Sequence, residues 1–400
     1  MKEICIHIEN KVLIREFNKN RDIEEVEKLE RSCEVGYRKG ISISTNFMGD
    51  PLCRIRLYPT HVMLIAELVG NGELVGVIRG CLKHVGTSHG KTHMNIGCIL
   101  GLRVSPKHRR LGIGLKLVES MEGWAIKNGA EYICLAIEAN NVASTNLFVL
   151  KCNYIKLSSL VILVQPISSR VRHPPQEVRI EKLSSDQAIS LYKSILEGKG
   201  LCPVDIDMIL KENLSLGTWV SFFGKEEWIG LHGKEKNSED FILRTPSSWA
   251  MMSVWNTCAT YKLQIIRRSY PCMCFYATLS HARAKVFPCL KIATCDLLDK
   301  PFGFLFLYGL HGEGQRIGEL MKSLWCFACN LAGNVKDCKA IITELEVSDP
   351  LRGFLPQGTS MSCIEDIWYL KRVRGSSSNE DDRWTTMPEG EHLFVDPRDF

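Results

Sequence analysis

The feature of this sequence that most limits its fold is one stretch, LRVSPKHRRLGIGLKL, which spans residues 102–117. It begins as an apolar strand, breaks at a Ser-Pro turn, and continues through two arginines and two glycines into an apolar-periodic helix. The free backbone N–H groups at the start of a helix, aided by the helix dipole, attract anions. Gly112 and Gly114 let the backbone approach an anion closely, and Arg109 and Arg110 add positive charge. The stretch therefore predicts a strand–loop–helix unit with an anion site at the helix start.

The spacing of these glycines narrows the kind of anion site. It matches neither GxGxxG nor GxxxxGK[ST], which disfavours a Rossmann dinucleotide site and a mononucleotide P-loop. The pattern V-x-P-x-x-R-R-x-G-x-G, from Val104 to Gly114, resembles the acetyl-CoA pyrophosphate loop of the GCN5-related N-acetyltransferases. The alternative is a basic strand-to-helix turn that only caps a helix. We therefore expect acetyl-CoA as the cosubstrate.

The resemblance also implies where each part of acetyl-CoA would lie. The strand before the loop and the strand YICLAI, residues 132–137, would be parallel neighbours that splay apart, with the pantetheine arm in the gap. It implies main-chain contacts at Leu102 and Val104 and phosphate contacts along residues 110–115. The expected cofactor-binding residues are Leu102, Arg103, Val104, Arg109, Arg110, Leu111, Gly112, Ile113, Gly114, Leu115 and Asn141.

A second signature of the same family, N-x-x-A-x-x-L-Y, is matched in part after the strand YICLAI. Asn141, Ser144, Leu147 and Phe148 stand at its positions. Asn141 is either a polar contact to the cofactor or a bound water, or the N-cap of a short helix predicted over residues 140–151. Many relatives use the tyrosine hydroxyl to protonate the departing thiolate, and Phe148 has no proton to give. Because a thiolate is already a good leaving group near neutral pH, this change need not abolish transfer.

Transfer to an amine also requires a group that removes a proton. An ammonium with a pKa of about 10 is not nucleophilic, so a carboxylate, a histidine or a water chain must deprotonate it. The candidates near the implied cleft are Glu138 at the end of its strand, His84 at a hairpin end, and Cys98 on the strand before the loop. Glu138 has the best position and is the expected catalytic residue. The alternative for Glu138 is a solvated carboxylate at a strand end.

The C-terminal part of the chain predicts a second half of the same kind. Residues 302–347 repeat the order strand, glycine turn, helix, glycine loop and strand, with little residue identity to the first half. Glu313 stands where the first half has arginines, and a carboxylate facing a pyrophosphate is repulsive. We therefore expect this half not to bind CoA, with Arg316 as the residue that argues otherwise.

These patterns predict a mixed-sheet α/β acetyltransferase fold followed by a degenerate acetyltransferase-like α/β half. Asn71-Gly72 between two β-rich runs predicts a hairpin, and residues 84–95 suggest a polar loop with three histidines. Further expected elements are helices over 185–196 and 204–212 and a strand pair from 249–256 and 261–268. The expected organisation is an acetyltransferase domain over 1–165, a proline-rich linker over 166–178, a degenerate domain over 179–374 and a tail over 375–400, whose last six residues could dock on a core.

Charge and cysteine content narrow the class of protein further. A net charge of +5 over 400 residues permits an acidic or nucleic-acid partner without demanding one, and we find no direct nucleic-acid motif. The 17 cysteines are scattered and odd in number without a secretory signal, which favours a reduced intracellular compartment. No apolar run approaches a membrane span. The pairs Cys326/Cys329 and Cys272/Cys274 could hold zinc, but helical thiols usually pack as small hydrophobes, so we expect no metal site.

Longer strings are typical of a narrower group, the plant Hookless-type N-acetyltransferases. Strings that resemble this group are CEVG (33–36), DPLCRIR (50–56), LSLGTWV (214–220) and FVDPRDF (394–400). The resemblance implies an acetyltransferase in hormone-controlled differential growth, with histone or other protein lysines among the candidate amine acceptors, and favours the nucleus over the cytoplasm. The alternative is a regulatory or scaffold protein that keeps an acetyl-CoA pocket with weak or no catalysis. Phe148 favours the scaffold, whereas the intact RRLGIG loop favours the enzyme.

Overall fold

The chain forms a mixed α/β sheet with helices on both faces. The computed structural model describes residues 12–33, 41–87, 90–167, 174–197, 200–226, 228, 245–267, 300–356, 362–374 and 393–400. The strands in these residues are β1 (Val12–Glu16), β2 (Ile41–Asn46), β3 (His61–Leu68), β4 (Leu74–Thr87), β5 (Gly90–Val104), β6 (Tyr132–Glu138), β7 (Ile155–Pro166), β8 (Val178–Lys182), β9 (Cys202–Pro203), β10 (Ser215–Phe223), β11 (Trp249–Asn256), β12 (Lys262–Arg267), β13 (Gly303–Glu313), β14 (Cys338–Glu346) and β15 (Ser362–Arg372). The α-helices are α1 (Lys19–Ser32), α2 (Ile113–Lys127), α3 (Val142–Thr145), α4 (Ser185–Leu196), α5 (Ile206–Lys211) and α6 (Ile317–Gly333). A π-helical turn covers Asn146–Lys151, and 3-10 turns cover Pro106–His108, Pro350–Phe354 and Pro397–Asp399.

Thirteen of the described strands form one sheet with an internal symmetry. Their order is β1-β3-β4-β5-β6-β15-β7-β14-β13-β11-β10-β8, with the short β9 beside β4. Neighbouring strands are antiparallel except β5 with β6 and β13 with β14, the two parallel pairs, which α2 and α6 connect. In this order, six strands lie on each side of the boundary between β15 and β7, and on each side the second and third strands from that boundary form the parallel pair. The expected mixed α/β fold with a second acetyltransferase-like half is thus confirmed.

The two halves exchange their last strands. β7 follows β6 in the chain but lies against β14 of the second half, and β15 lies between β6 and β7. Each exchanged strand therefore extends the sheet of the other half. The domain boundaries predicted at residues 165 and 179 stay predictions, and separating the chain there would remove a central neighbour from each half.

The core is divided between the two faces of the sheet. On one face, α2 packs its apolar stripe on β3 and β4 of the first half, and α6 packs on β11 of the second. On the other face, α1 covers β3 and β4, whereas α4 and α5 cover β10 and β11. The helix predicted over 185–196 is confirmed as α4, which begins with a capping box formed by Ser184 and Gln187.

The predicted polar loop over residues 84–95 is wrong. β4 and β5 pair through this segment, with His84 opposite Asn95 and Val85 opposite Met94. His84 is exposed, whereas Val85 and Met94 are buried. This alternation is typical of a strand with one buried face. The histidines made the segment look uniformly polar; His89 lies outside the described residues.

The predicted pairing of residues 249–256 with 261–268 is also wrong. β11 pairs with β10 and β13 inside the main sheet, and β12 pairs with β2 in a separate two-stranded sheet. A turn closed by a hydrogen bond from the Thr260 N–H to the Thr257 carbonyl oxygen, 2.9 Å long, lies between β11 and β12. β12 therefore leaves the main sheet instead of folding back on β11.

The C-terminal residues dock on the face of the sheet opposite α2 and α6. Asp396, Arg398 and Asp399 are buried, and the Phe400 ring stacks on Phe306 with 4.0 Å between ring centres. The Arg398 guanidinium pairs with Asp396, and Lys83 Nζ lies 2.5 Å from a carboxylate oxygen of Asp399. The docking expected for the last six residues is confirmed.

A buried ion pair joins α1 to the sheet and allows a stability prediction. Arg79 donates to Glu30, with 2.6 Å between the atoms, and both side chains are buried. Burial opposes ionisation of Glu30, but the charges of Arg79 and Arg103 outweigh it and lower its pKa. Arg79→Ala leaves the Glu30 carboxylate buried with less compensation, so we expect the free energy of unfolding to fall by about 3–5 kcal/mol in urea titrations. Arg31→Ala, which breaks a more exposed pair with Glu27, is the control, with an expected loss of about 0–1 kcal/mol; equal losses would contradict the account.

Candidate active site

A gap between β5 and β6 forms the candidate site. The parallel pairing of the two strands stops at Ile99 and Leu135, although both strands continue. Just beyond, β5 carries an extra residue relative to β4, and Gly101 has a φ of +107°. A bulge bends its strand and increases the local twist. We infer that this bulge turns residues 100–104 away from β6 and opens the gap.

The backbone of Leu102 and Val104 lies along the gap, as the sequence predicted. The Leu102 carbonyl oxygen accepts from Arg103 Nη1 at 3.0 Å, and the Val104 carbonyl oxygen accepts from Cys33 and Arg109, each at 3.3 Å. The Arg103 guanidinium also pairs with Glu30 at 3.2 Å. The Arg103 side chain therefore stabilises the junction with α1, and a main-chain contact from Arg103 to a cofactor stays a prediction.

The loop after β5 presents open backbone at the start of α2. Arg110 has a φ of +67° and Gly112 a φ of +78°, and a Cβ added at Gly112 would meet no atom within 4 Å. The first intrahelical bond runs from the Lys116 N–H to the Gly112 carbonyl oxygen, and Gly112 supplies no side-chain cap. The N–H groups of residues 113–115 therefore precede the helical ladder and point out of the helix start. This cradle suits a negatively charged group.

The charges beside this helix start are also available. Arg109 and Arg110 are exposed, and neither forms an ion pair with a carboxylate of the described residues. Leu111 is exposed between them and Gly112. A Cβ added at Gly114 would lie at ordinary contact distances from Leu147, Val104 and Leu102. The predicted loop residues thus come together in one place, and they fit a pyrophosphate.

Glu138 lies at the end of β6 that borders the gap, and a second carboxylate faces it. Asp366 on β15 is directly opposite Glu138 in the register. Opposite residues of an antiparallel pair project from the same face of the sheet. Burial raises the pKa of Glu138, and burial together with the nearby Glu138 charge raises the pKa of Asp366 to about 6. The pair can therefore hold and release a proton closer to neutral pH than isolated carboxylates can.

Sequence reasoning missed Asp366. It follows Glu138 by more than two hundred residues, and no local motif surrounds it. Only the exchange of β7 and β15 brings it beside β6. The alternation of apolar and polar residues over 362–372 predicts a strand, but it does not identify the strand that lies beside it.

The two other candidate bases do not lie at the gap. His84 is exposed and pairs with Asn95, at the end of β4 and β5 opposite the gap, so its assignment near the cleft is wrong. Cys98 is buried, with its sulphur 3.0 Å from that of Cys134 on the neighbouring strand. The Cys98 thiol therefore faces the core beneath the sheet rather than an open cleft.

Asn141 and Phe148 occupy positions that limit their roles. The Asn141 side-chain oxygen accepts from the Ser144 N–H at 3.2 Å, so Asn141 is the N-cap of α3. A contact from its amide nitrogen to a cofactor stays a prediction. Phe148 lies in the π-helical turn, buried, with its ring edge-to-face on Tyr154 at 5.4 Å between centres. Phe148 thus serves the core and supplies no acid.

The second half contains the same gap with different chemistry. Parallel pairing of β13 with β14 stops at Leu307 and Thr343, and a bulge follows at Gly309, whose φ is +59°. This gap encloses a cavity of about 390 Å³. Glu313 lies on its wall, whereas the Arg316 guanidinium stacks on Phe223 and pairs with Glu319 at 2.7 Å. Arg316 is therefore engaged away from the position of a pyrophosphate.

The described residues contain no group of three or more His, Cys, Asp or Glu side chains placed to hold a metal ion. Cys326 and Cys329 lie on α6, and Cys272 and Cys274 lie outside the described residues. None of the helices that the structure describes combines the length and apolar character needed to cross a bilayer.

Comparison with known proteins gives matches in sequence and in fold. The model of the acetyltransferase (GNAT) family matches residues 25–154. "Probable N-acetyltransferase HLS1" of Arabidopsis thaliana is 38% identical over 404 residues, covering 97% of this chain and 100% of that protein. "Acetyl transferase GW6a" of Oryza sativa subsp. japonica is 30% identical, covering 97% of each chain. A structure of Saccharomyces cerevisiae N-myristoyltransferase with bound myristoyl-CoA aligns with a TM-score of 0.52 and 11% identity, covering 91% of this chain and 79% of that chain. At that identity the last likeness shows the fold alone.

Proposed function

The chain belongs to the GNAT acetyltransferase family, together with the plant HLS1-type probable N-acetyltransferases, and on that premise we propose that it transfers an acetyl group from acetyl-CoA to the amine of a protein lysine. One observation carries the proposal. The gap between β5 and β6 opens directly onto an uncapped helix start beside two exposed arginines, neither of which forms an ion pair with a carboxylate of the described residues. A protein that only needed a helix here would gain nothing from this arrangement.

The residues of the first half divide the binding of acetyl-CoA between them. The main chain of Leu102 and Val104 would pair with the amide groups of the pantetheine arm in the gap. The N–H groups of residues 113–115 would hold the pyrophosphate, and Arg109 and Arg110 would neutralise its charge. Acetyl-CoA supplies the thioester carbonyl that the amine attacks. The acyl length is part of the proposal, and competition between acetyl-CoA and myristoyl-CoA for the wild-type protein tests it.

Glu138 and Asp366 would move the proton. The attacking lysine must lose a proton as its nitrogen bonds to the carbonyl carbon and the carbon–sulphur bond breaks. Glu138, directly or through a water molecule, takes that proton, since burial raises its pKa towards neutral pH. Asp366, whose pKa burial and the Glu138 charge raise to about 6, can share the proton. The CoA thiolate can leave unprotonated, which is consistent with Phe148 at the position where many relatives have tyrosine.

Removing both arginines tests the phosphate site. Arg109→Ala combined with Arg110→Ala should weaken acetyl-CoA binding by roughly 2–4 kcal/mol, or roughly 30- to 1000-fold, if both make charge-assisted contacts. Isothermal titration calorimetry with acetyl-CoA measures the effect. The matched change in the second half, Glu313→Ala, should leave acetyl-CoA affinity unaltered. A changed affinity in the Glu313 variant would mean that the second half is a cofactor site.

The biological setting stays a further proposal. Histone lysines as acceptors, nuclear location and a role in hormone-controlled differential growth are supported by the family resemblance. Screening histone and non-histone lysine peptides with isotopically labelled acetyl-CoA would identify the acceptor.

A further inference from the structure

The cavity of the second half lies where that half would hold a cofactor, but its walls are acidic. Glu313 on β13, Glu344 and Glu346 on β14, and Asp349 after β14 all line it. None of the described residues that line it is a lysine or an arginine. The start of α6 also borders the cavity, and its dipole favours anions. Glu313, just before that start, makes the site less favourable for an anion, whereas Glu319 in the first turn is paired with Arg316.

One of these carboxylates is buried without adequate compensation. Glu344 is 5% exposed, and its one hydrogen bond in the described structure comes from the Trp368 indole N–H at 3.4 Å. The hydroxyl of Tyr308, which also lines the cavity, is buried and makes no hydrogen bond with the described residues. An ionised carboxylate is costly to bury unless it is paired with a cation or hydrogen-bonded, so an uncompensated one tends to take up a proton. Glu313 lies 3.6 Å from His311, and Glu346 accepts from Ser158 and from the Leu393 N–H. Glu344 is therefore the wall carboxyl to which a bound cation would add the most compensation.

The remaining walls suit a long aliphatic chain. Apolar side chains that line the cavity include Ile195, Met251, Leu310, Phe354 and Phe394. Lysine and arginine bury an aliphatic stem along apolar surface while their charged ends seek polar groups. The cavity therefore combines apolar side chains, which suit the stem, with carboxylates, which suit the charged end.

We propose that this cavity binds a lysine or arginine side chain of the protein acceptor, distinct from the lysine that is acetylated. The inference rests on the proposed function, since it treats the bound polypeptide as the acceptor. It also assigns the degenerate half a role: the gap that binds an anionic cofactor in the first half selects a cationic residue in the second.

The sheet sets the distance between the two sites. Glu138, Asp366, Leu160 and Glu346 form one row across β6, β15, β7 and β14, each directly opposite the next. Three strand intervals of about 4.8 Å place Glu346 about 14 Å from Glu138, and Glu344, two residues away along β14, lies about 16 Å from Glu138. An extended chain advances about 3.3–3.6 Å per residue, so this distance spans about four to five residues. Residues four apart in an extended chain point the same way. The selected basic residue should therefore lie about four positions from the acetylated lysine.

Cation binding should also release a proton. Burial, followed by the charge of Asp366, raises the pKa of Glu344 to about 8. A bound cation favours the ionised carboxylate, so affinity should rise as pH increases towards 8. The other titratable groups that face Glu344 or line the cavity are Asp366, Asp399, Glu346, Asp349, Glu313, His311, Tyr192 and Tyr308.

Binding of synthetic peptides to the full chain, without acetyl-CoA, tests the inference. The probes are end-blocked Gly/Ser peptides with a single lysine or with two lysines spaced two, four or six positions apart. We expect the four-spaced peptide to bind about tenfold more tightly than the single-lysine peptide, because it adds one charge-assisted contact. Glu344→Gln should remove that advantage. Glu365→Gln, the same change one residue from Asp366 on an exposed position of β15, should retain it.

Each outcome decides the question. Equal affinity at all three spacings, or an advantage that survives Glu344→Gln, would overturn the inference. If Glu344→Gln fails to fold, the spacing series on the wild-type chain decides alone. Acetyl-CoA binding is measured separately, so acetyl-CoA binding without spacing preference rejects only this inference. Spacing preference without acetyl-CoA binding rejects only the proposed function.

Discussion

Gly112→Glu should abolish detectable acetyl-CoA binding while the protein still folds. Gly112 precedes α2, and a Cβ there would meet no atom within 4 Å, so a glutamate would place its carboxylate in the proposed pyrophosphate site. Two like charges 4 Å apart repel by about 4 kcal/mol at an effective dielectric constant of about 20, which corresponds to about a 1000-fold loss. Calorimetric titration with acetyl-CoA measures this loss.

The control for this prediction is Gly123→Glu. Gly123 is an exposed position in the middle of α2, and a Cβ there also meets no atom within 4 Å. It should leave acetyl-CoA affinity near the wild-type value. Because Gly112 has a φ of +78°, its replacement should also cost roughly 1–2 kcal/mol of stability, which circular dichroism in urea would report. Unchanged acetyl-CoA affinity in a folded Gly112→Glu protein would contradict the assigned site.

Glu138→Gln should separate binding from chemistry. Glutamine keeps the shape and hydrogen bonding of the carboxylate but accepts no proton at neutral pH, so acetyl-CoA affinity should stay near wild type. Turnover should fall by about 10²–10⁴-fold at neutral pH and recover at high pH, as free amine becomes available. Steady-state CoASH release across a pH series measures both effects. Removal of the Glu138 charge should also lower the pKa of Asp366 below about 6, since part of its rise comes from that charge.

Two variants distinguish this role from a structural one. Glu365→Gln, on an exposed position of β15, should keep wild-type turnover. A purely structural Glu138 would lose activity without recovery in alkali. Near-normal turnover of Glu138→Gln at pH 7 would remove Glu138 from the mechanism and leave a water chain as the base.

The parts of this fold that could be predicted from sequence are those set by short-range patterns. Residues close together in the sequence determine three such elements: the helix after the RRLGIG loop, the hairpin at Asn71-Gly72, and α4. Most of the candidate cofactor residues lie together in the structure because they are consecutive along the chain. The repeated order of strand, glycine turn, helix and strand around α6 could be predicted for the same reason.

The parts that were missed depend on contacts between distant segments. β15 reads as a strand from its own residues, but its place between β6 and β7 depends on pairing across more than two hundred residues. Asp366 therefore had no sequence signal as a partner of Glu138. β12 likewise reads as a partner of β11, although it pairs with β2. Local alternation identifies a strand but not its neighbour.

The central claim is that this chain moves an acetyl group from acetyl-CoA to a lysine. The most direct test incubates the full-length protein with isotopically labelled acetyl-CoA and lysine-containing protein substrates, then follows the label by mass spectrometry. The account predicts label on lysine amines, with equimolar release of CoASH, and loss of both in Gly112→Glu. Tight binding of acetyl-CoA with no label on any amine would contradict the claim and identify the protein as a non-catalytic scaffold with an acetyl-CoA pocket.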